Sequence, residues 1–311
     1  MDAEYHIPVL LQEAIDGLNM RESGIYVDAT FGGGGHSRQI LRHLGEEGRL
    51  LAFDRDPDAA ARAEQDSDFV QAGRRFILVR ENFRYLKNYL RFYKAVPVDG
   101  ILADLGVSSH QFDVAERGFS IRNRGPLDMR MDQSGPLTAA EVLNTYSEED
   151  LARIFMQYGE IPFGRRLASA VVKVREASPF EYTDQAVDFF EPFAGKGREN
   201  KFLATVFQAL RIEVNGEMEN LKGLLEQSLE VLRPGGRLVV ISYHSLEDRM
   251  VKNFMRSGNV DGKIEKDFYG NDLSPIEPVN RKAVMPTGEE TERNPRSRSA
   301  RLRVARKKGQ Q

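Results

Sequence analysis

Residues 28–37, Asp28-Ala29-Thr30-Phe31-Gly32-Gly33-Gly34-Gly35-His36-Ser37, bring an acid, four consecutive glycines and a histidine together. Glycines let a backbone approach a ligand with no Cβ in the way, and the first N–H groups of a helix attract polar atoms. The stretch follows the apolar Ile25-Tyr26-Val27 and precedes the amphipathic Ile40-Leu41-Leu44. That layout predicts a strand, a turn and a helix start, the arrangement that holds a nucleotide-like cofactor. A glycine run by itself serves equally well as a plain loop. The next apolar run, Leu50-Leu51-Ala52-Phe53, ends in Asp54. An acid about 20 residues beyond the glycines, at the end of the second strand, is placed to hold ribose hydroxyls. Asp28 has two readings, a cap of the turn or a cofactor contact, and its strand-end position favours the second.

Four strand-like runs, 25–30, 49–53, 76–80 and 98–104, alternate with helical patterns. Val9 to Leu18 is apolar at helical spacing and is expected to pack on the sheet edge. Asp56-Pro57 supplies an N-cap and a first-turn proline for a helix over 57–65. This alternation predicts a parallel sheet covered on both faces, with ligands beyond the carboxyl ends of the strands. Asp28, Asp54, Asn82-Phe83 and Asp104 then share one rim. After Asp104 the pattern stops: residues 107–136 are rich in Gly, Ser, Arg and Asp, and such a connection is too long to be idle. Helical patterns follow Ser147-Glu148-Glu149-Asp150 and continue at 163–176 and 184–193. A long one runs from Asn200 to about Leu232, interrupted near Asn215-Gly216. Arg233-Pro234-Gly235-Gly236 stops it, and Arg237-Leu238-Val239-Val240-Ile241-Ser242 returns to the sheet. The reading is α/β, with residues 1–134 and 211–311 forming the sheet domain and 135–210 an inserted helical substrate lobe.

The 311 residues carry a net charge of −3 and no cysteine. Disulfides, thiolate zinc sites and cysteine nucleophiles are excluded; a reducing cytoplasm fits, and no metal is expected. The acidic start leads to no long apolar stretch, so no signal peptide is expected, and the apolar runs are strand-sized rather than membrane-spanning. Charge is uneven: residues 291–311 hold eight Arg and Lys against Glu292, a net +7, leaving −10 elsewhere. That segment reads either as a solubilising tail or as a phosphate-binding patch, and the alternation Leu302-x-Val304 predicts an ordered strand.

The Leu232-Arg233-Pro234-Gly235-Gly236-Arg237-Leu238 segment, after an acid-ended fourth strand, resembles the class I (Rossmann-like) S-adenosylmethionine-dependent methyltransferases. Five further segments narrow the match: 104–109 (DLGVSS), 116–120 (ERGFS), 125–132 (GPLDMRMD), 244–249 (HSLEDR) and 294–303 (NPRSRSARLR). With them the chain is similar, from His6 to about Lys308, to the bacterial small-subunit rRNA cytosine-N4 methyltransferases. The resemblance implies S-adenosylmethionine as cofactor, 16S rRNA of the small ribosomal subunit as partner, and methylation of a decoding-region cytosine amine. It leaves a homodimer open. By motif it implies cofactor contacts at Gly34, Gly35, His36, Asp54, Phe83, Asp104 and Gln111. His110 stands where the pattern has proline.

A cytosine amine is a poor nucleophile because its lone pair is delocalised into the ring. Acceptors that hold its hydrogens favour pyramidalisation and aim the lone pair, and carboxylates suit the positive charge that develops. Asp104, as the catalytic residue, with Ser108, Ser109 and Asp128 are the groups expected near that amine. Arg130, with Arg117, Arg122 and Arg124, is expected at phosphate, although these four can equally form a solvated loop face. His244 and Ser245 are read as site wall, as caps of a helix over 246–256, or as both. His36 can be a plain first-turn residue and Phe83 a core residue. Two other classes remain open: a nicotinamide oxidoreductase, which lacks a visible hydride-relay group, and a non-catalytic RNA-binding factor.

Overall fold

The computed structural model describes residues 8–309. The chain forms two compact units, one from residues up to Gly106 joined by those from Met218 on, the other from Val107–Glu217. The first is built on seven strands: β1 (Ile25–Asp28), β2 (Arg49–Phe53), β3 (Phe76–Val79), β4 (Val98–Asp104), β5 (Leu232–Ser242), β6 (Ile276–Pro278) and β7 (Arg301–Lys307). Their order is β3-β2-β1-β4-β5-β7-β6. The first five are parallel, and β7 lies antiparallel to both β5 and β6. This is the α/β architecture expected from the sequence, a largely parallel sheet with a helical unit inserted after β4.

Successive side chains of a strand point to opposite faces, so a sheet covered on both sides needs unbroken apolar runs. Here Val27, Leu51, Ile101 and Val240 face one layer, with α5 (Leu86–Phe92) and the later helices over Glu217–Val231 and Ser245–Ser257. Tyr26, Leu50, Leu102 and Val239 face the other, with α1 (Leu11–Leu18), α2 (Gly35–His43), α3 (Pro57–Gln65) and α4 (Ser67–Ala72). Asp56 caps α3 as expected, its side chain accepting from the Asp58 N–H at 3.0 Å. The expectation for α1 needs correcting. It packs on the middle of the sheet, because Gly17 brings its backbone against Val239 and Val304, and Leu18 against Gly100.

The inserted unit contains α6 (Ser109–Asp113), α7 (Ala139–Thr145), α8 (Glu148–Gln157), α9 (Gly164–Arg175), α10 (Thr183–Phe190) and α11 (Glu199–Asn215). It begins at Val107 and ends at Glu217 rather than spanning 135–210. The long polar connection is part of it because Phe119, Leu127 and Met129 are buried in the helical core. Hydrogen bonds to its backbone fix the rest. Leu127 N donates to Glu181 O at 2.8 Å, and Asn215 accepts from Met131 N and donates to Met129 O, each at 2.8 Å. Gly216, at φ +58°, separates α11 from α12 (Glu217–Val231), where the sequence pattern breaks. The chain then bulges out over Arg233–Gly236 as β4 advances only from Val98 to Gly100. After β5 come α13 (Ser245–Ser257) and α14 (Gly288–Arg293).

The basic segment is ordered, and much of its charge is used internally. Asp248 accepts from Arg301 at 3.0 Å and Arg303 at 2.7 Å. Burial raises the Asp248 carboxyl, but these two guanidinium bonds outweigh it and hold the group below its ordinary range. Arg306 pairs with Glu277, and Lys307 Nζ donates to Leu232 O at 2.6 Å. Arg293, Arg296 and Arg298 are exposed. Among the described residues, no helix is long and apolar enough to cross a membrane.

At the opposite end of the strands, buried Asp99 joins three elements. It accepts from Ile25 N at 2.8 Å and from Arg21, and it forms an ion pair with Arg233, Nε–Oδ1 2.5 Å. Removing one partner of such a cluster leaves desolvated donors unmatched. Asp99→Ala is therefore expected to destabilise the protein by about 2–4 kcal/mol, read as a lower urea midpoint. Asp99→Asn, which can keep the Ile25 bond, is expected to lose less.

Candidate cofactor and catalytic site

Parallel strands bring their carboxyl ends to one rim, and the registers fix what meets there. Asp28 lies opposite Ala52 and Leu102, and Asp104 opposite Ile241. The turn after β1 is bound to its neighbours through backbone: Ala29 N donates to Leu102 O at 2.8 Å and Phe31 N to Phe53 O at 2.9 Å. Gly34 has φ +75°, and a Cβ there would sit 2.7 Å from the Phe69 ring, so this turn demands glycine on two counts. Gly35 begins α2. A Cβ at Gly33 would meet nothing within 4 Å, which leaves an open cradle beside the turn.

Asp54 accepts from Gly32 N at 2.7 Å and from Asp56 N at 2.9 Å, tying the end of β2 to the glycine turn. Burial pushes its carboxyl up to about 6 in spite of these bonds. Asp28, 1% exposed, turns both oxygens inward: Oδ1 accepts from Thr30 N at 3.1 Å and Oδ2 from Ser37 Oγ at 2.6 Å. Burial raises its carboxyl too. Its geometry is that of a residue holding the turn in shape.

Asp104 is the centre of the most connected group. Its backbone N donates to Thr30 Oγ1 at 2.7 Å, its Oδ1 accepts from the Tyr243 hydroxyl at 2.7 Å, and its Oδ2 lies 3.7 Å from His36 Nδ1. The buried His36 ring is fixed on the other side by Nε2, 3.1 Å from Val9 O. Burial pushes the Asp104 carboxyl up to about 6, against the opposing pull of His36 and of the Tyr243 bond. At neutral pH Asp104 is mostly an ionised acceptor that can still take a proton. Phe83 follows the side-chain cap made by Asn82 and packs partly against the core.

His244, rather than Ser245, is the N-cap of α13, its Nδ1 accepting from Glu247 N at 3.4 Å. Ser245 is the first residue of that helix. Glu247 reaches back to accept from Tyr243 N at 2.9 Å. Thr30, Tyr243 and Glu247 are site residues that sequence reasoning passed over. A tyrosine directly after a strand end, between Ser242 and His244, was the available signal.

Within the inserted unit, Ser108 and Gln111 form a capping box for α6. Ser108 N donates to Gln111 Oε1 at 3.2 Å and Gln111 N to Ser108 Oγ at 3.3 Å. The Ser109 side chain lies outside the described residues. Asp128 and Arg130 form a bidentate pair, Nε–Oδ1 2.9 Å and Nη2–Oδ2 2.6 Å. That pair raises the guanidinium further above its already high range. The expectation of phosphate contact fails for Arg117. It is 3% exposed, and its Nη2 donates to the carbonyls of Arg130 and Met131, so it braces the loop from inside. Arg124 pairs with Asp184 at 2.9 Å and stacks on Tyr182, while Arg122 is exposed.

The MraW methylase family model matches residues 3–308. The chain is 57% identical over 307 residues to the Ribosomal RNA small subunit methyltransferase H of Parabacteroides distasonis, covering 98% of each. It is 57% identical over 304 residues to the protein of that name from Bacteroides thetaiotaomicron, again covering 98% of each. A third, from Bacteroides fragilis, is 55% identical over 307 residues and 99% of each chain. Matched over nearly its whole length by one family model, and more than half identical to these relatives, the chain belongs to the MraW methylase family.

Proposed function

We propose that this chain transfers a methyl group from S-adenosylmethionine to the exocyclic N4 amine of a decoding-region cytosine in 16S rRNA. The observation that carries the reading is Asp104, a strand-end carboxylate held beside His36 and the glycine turn and poised near pH 6. The relatives' shared name supports the rRNA substrate. The cofactor fits the rim on two counts. The turn is glycine where close approach is needed, and buried Asp28 with the half-buried carboxylates of Asp54 and Asp104 makes the rim complementary to a cation.

When bound, S-adenosylmethionine supplies an electrophilic methyl on a sulfonium. Gly34, Gly35 and His36 would receive it along the turn, Asp54 would accept from its ribose hydroxyls, and Phe83 would flank its adenine. Asp28 contributes by shaping the turn. Asp104 would accept a hydrogen of the substrate amine, oppose the charge that develops on nitrogen and take the released proton or pass it to water. Ser108, Ser109, Gln111, Asp128 and Arg130 are assigned to ligand contact by the inserted unit, and His244 and Ser245 to the substrate side of the sheet unit. Cytosine must leave its stack to be methylated. The exposed arginines 293, 296 and 298 would hold phosphate, with affinity that falls as salt rises. A cytoplasmic site of action follows from that substrate.

Nucleoside mass spectrometry of rRNA tests the assignment. Cells lacking the protein should lose an N4-methylated cytosine, and the wild-type gene should restore it where Asp104→Asn does not. Unchanged N4-methylcytosine in the deletion strain overturns the substrate.

A further inference from the structure

We propose that Tyr243 is a positioning residue for methyl transfer: its hydroxyl holds Asp104 by one oxygen and leaves the other, beside His36, to accept from the substrate amine. The proposal rests on the reading above that Asp104 is the acceptor, and it assigns a role to a side chain which that reading does not use.

The geometry is specific. Tyr243 Oη donates to Asp104 Oδ1 at 2.7 Å, while Oδ2 is the oxygen that faces His36 Nδ1 at 3.7 Å. A carboxylate on a short side chain rotates freely unless one oxygen is fixed, and a misaimed acceptor loses much of its effect. The tyrosine is itself held from two sides. Its backbone N donates to Glu247 Oε2 at 2.9 Å, inside the cap that starts α13. Its ring lies over Gly106, where a Cβ would come within 3.2 Å of Cδ2. Gly106 has φ +104°, a conformation that side chains rarely adopt, so the DLG turn and the ring seat require the same residue.

The groups around Asp104 come from every packed element: His36 on α2, Asp28 on β1, Glu247 on α13, and Tyr243 after β5. Asp28 and Glu247 push its titration point up and so oppose ionisation, His36 and the phenol pull it down, and burial dominates. Glu290 on α14 adds to the burial and to Asp104 itself in pushing the phenol well above its usual range. Tyr243 therefore stays a donor at any working pH. The hydroxyl is a neutral side-chain donor that favours the ionised form of Asp104 through a 2.7 Å bond.

Tyr243→Phe removes the hydroxyl and keeps the ring. The expected result is a rise of about one unit in the Asp104 titration midpoint, followed by carboxyl carbon NMR. The acid limb of the methyl-transfer rate should move up equally, adding a loss of about threefold to fivefold near pH 6 to 6.5 to the fall in kcat that a misaimed acceptor brings at every pH. KM for S-adenosylmethionine should change little. An unmoved midpoint, or a kcat at the wild-type level near pH 9, would overturn the role, because a ring that only packs would leave both the midpoint and the aim of Asp104 as they are. Asp104→Asn run in parallel keeps the two readings apart. Full activity there removes Asp104 as acceptor, while the NMR midpoint still decides whether the phenol governs its ionisation.

Discussion

Asp104→Asn is expected to lower methyl transfer by about 10²–10⁴-fold, the range for a positioned proton acceptor, with the fold intact. Asparagine fills the same space and can still accept from the Tyr243 hydroxyl, so the bonds that shape the end of β4 survive. Stability should move the other way. The native state holds the Asp104 proton up to about pH 6, whereas an unfolded chain releases it near pH 4. Between those values the folded protein binds more protons, so the contribution of the protonated acid is fully present below about pH 4 and is lost as pH rises through about 6. The side chain is 18% exposed, and the full loss is at most about 3 kcal/mol. The variant lacks this loss. Its melting temperature, compared with wild type across that window, should gain with rising pH and then run level. An active variant, or one that melts far below wild type at neutral pH, would defeat this account.

Asp54→Ala should raise the dissociation constant for S-adenosylmethionine by about 10²-fold or more, since two bonds to a charged acceptor are removed together. Part of that loss is indirect, because Asp54 also anchors Gly32 N and Asp56 N and so sets the shape of the glycine turn. Asp54→Asn, which keeps one acceptor, is expected to weaken binding by about tenfold. The pH dependence is diagnostic. A ribose hydroxyl donates best to the ionised acid, whose buried form titrates at about 6. Wild-type affinity should therefore fall as pH drops below that value and level off above it, and the asparagine variant should show a shallower fall. Calorimetry from pH 5 to 8 distinguishes the cases, and equal affinity in all three proteins would remove Asp54 from the cofactor contacts.

The strand-end acids were legible because each follows an unbroken apolar run, and a buried strand that ends in a charge advertises its own terminus. The helix breaks at Asn215-Gly216 and the cap at Asp56 were legible for a similar reason: the signal lies within a few residues. What escaped depends on partners remote in the chain. Tyr243 meets Asp104 across 139 residues, and no periodicity reports such a meeting. The 107–136 segment looked like sheet-domain loop by composition, yet three apolar side chains and one asparagine 84 residues from its Met131 partner commit it to the helical unit. Arg117 has the composition of a phosphate ligand and the burial of a brace. A count of loop arginines cannot separate those two outcomes.

The placement of β7 has a consequence for biosynthesis. Residues 301–307 pair with both β5 and β6, so the apolar Leu238–Ile241 stretch of β5 has one side of its ladder unpaired until the chain has been made past Arg301. An open strand edge is a template for joining another chain, and slow-forming long-range pairings prolong that hazard. Premature termination shortly before Arg301 should therefore yield insoluble protein rather than a weakened enzyme, and nascent chains stalled there should attract chaperones.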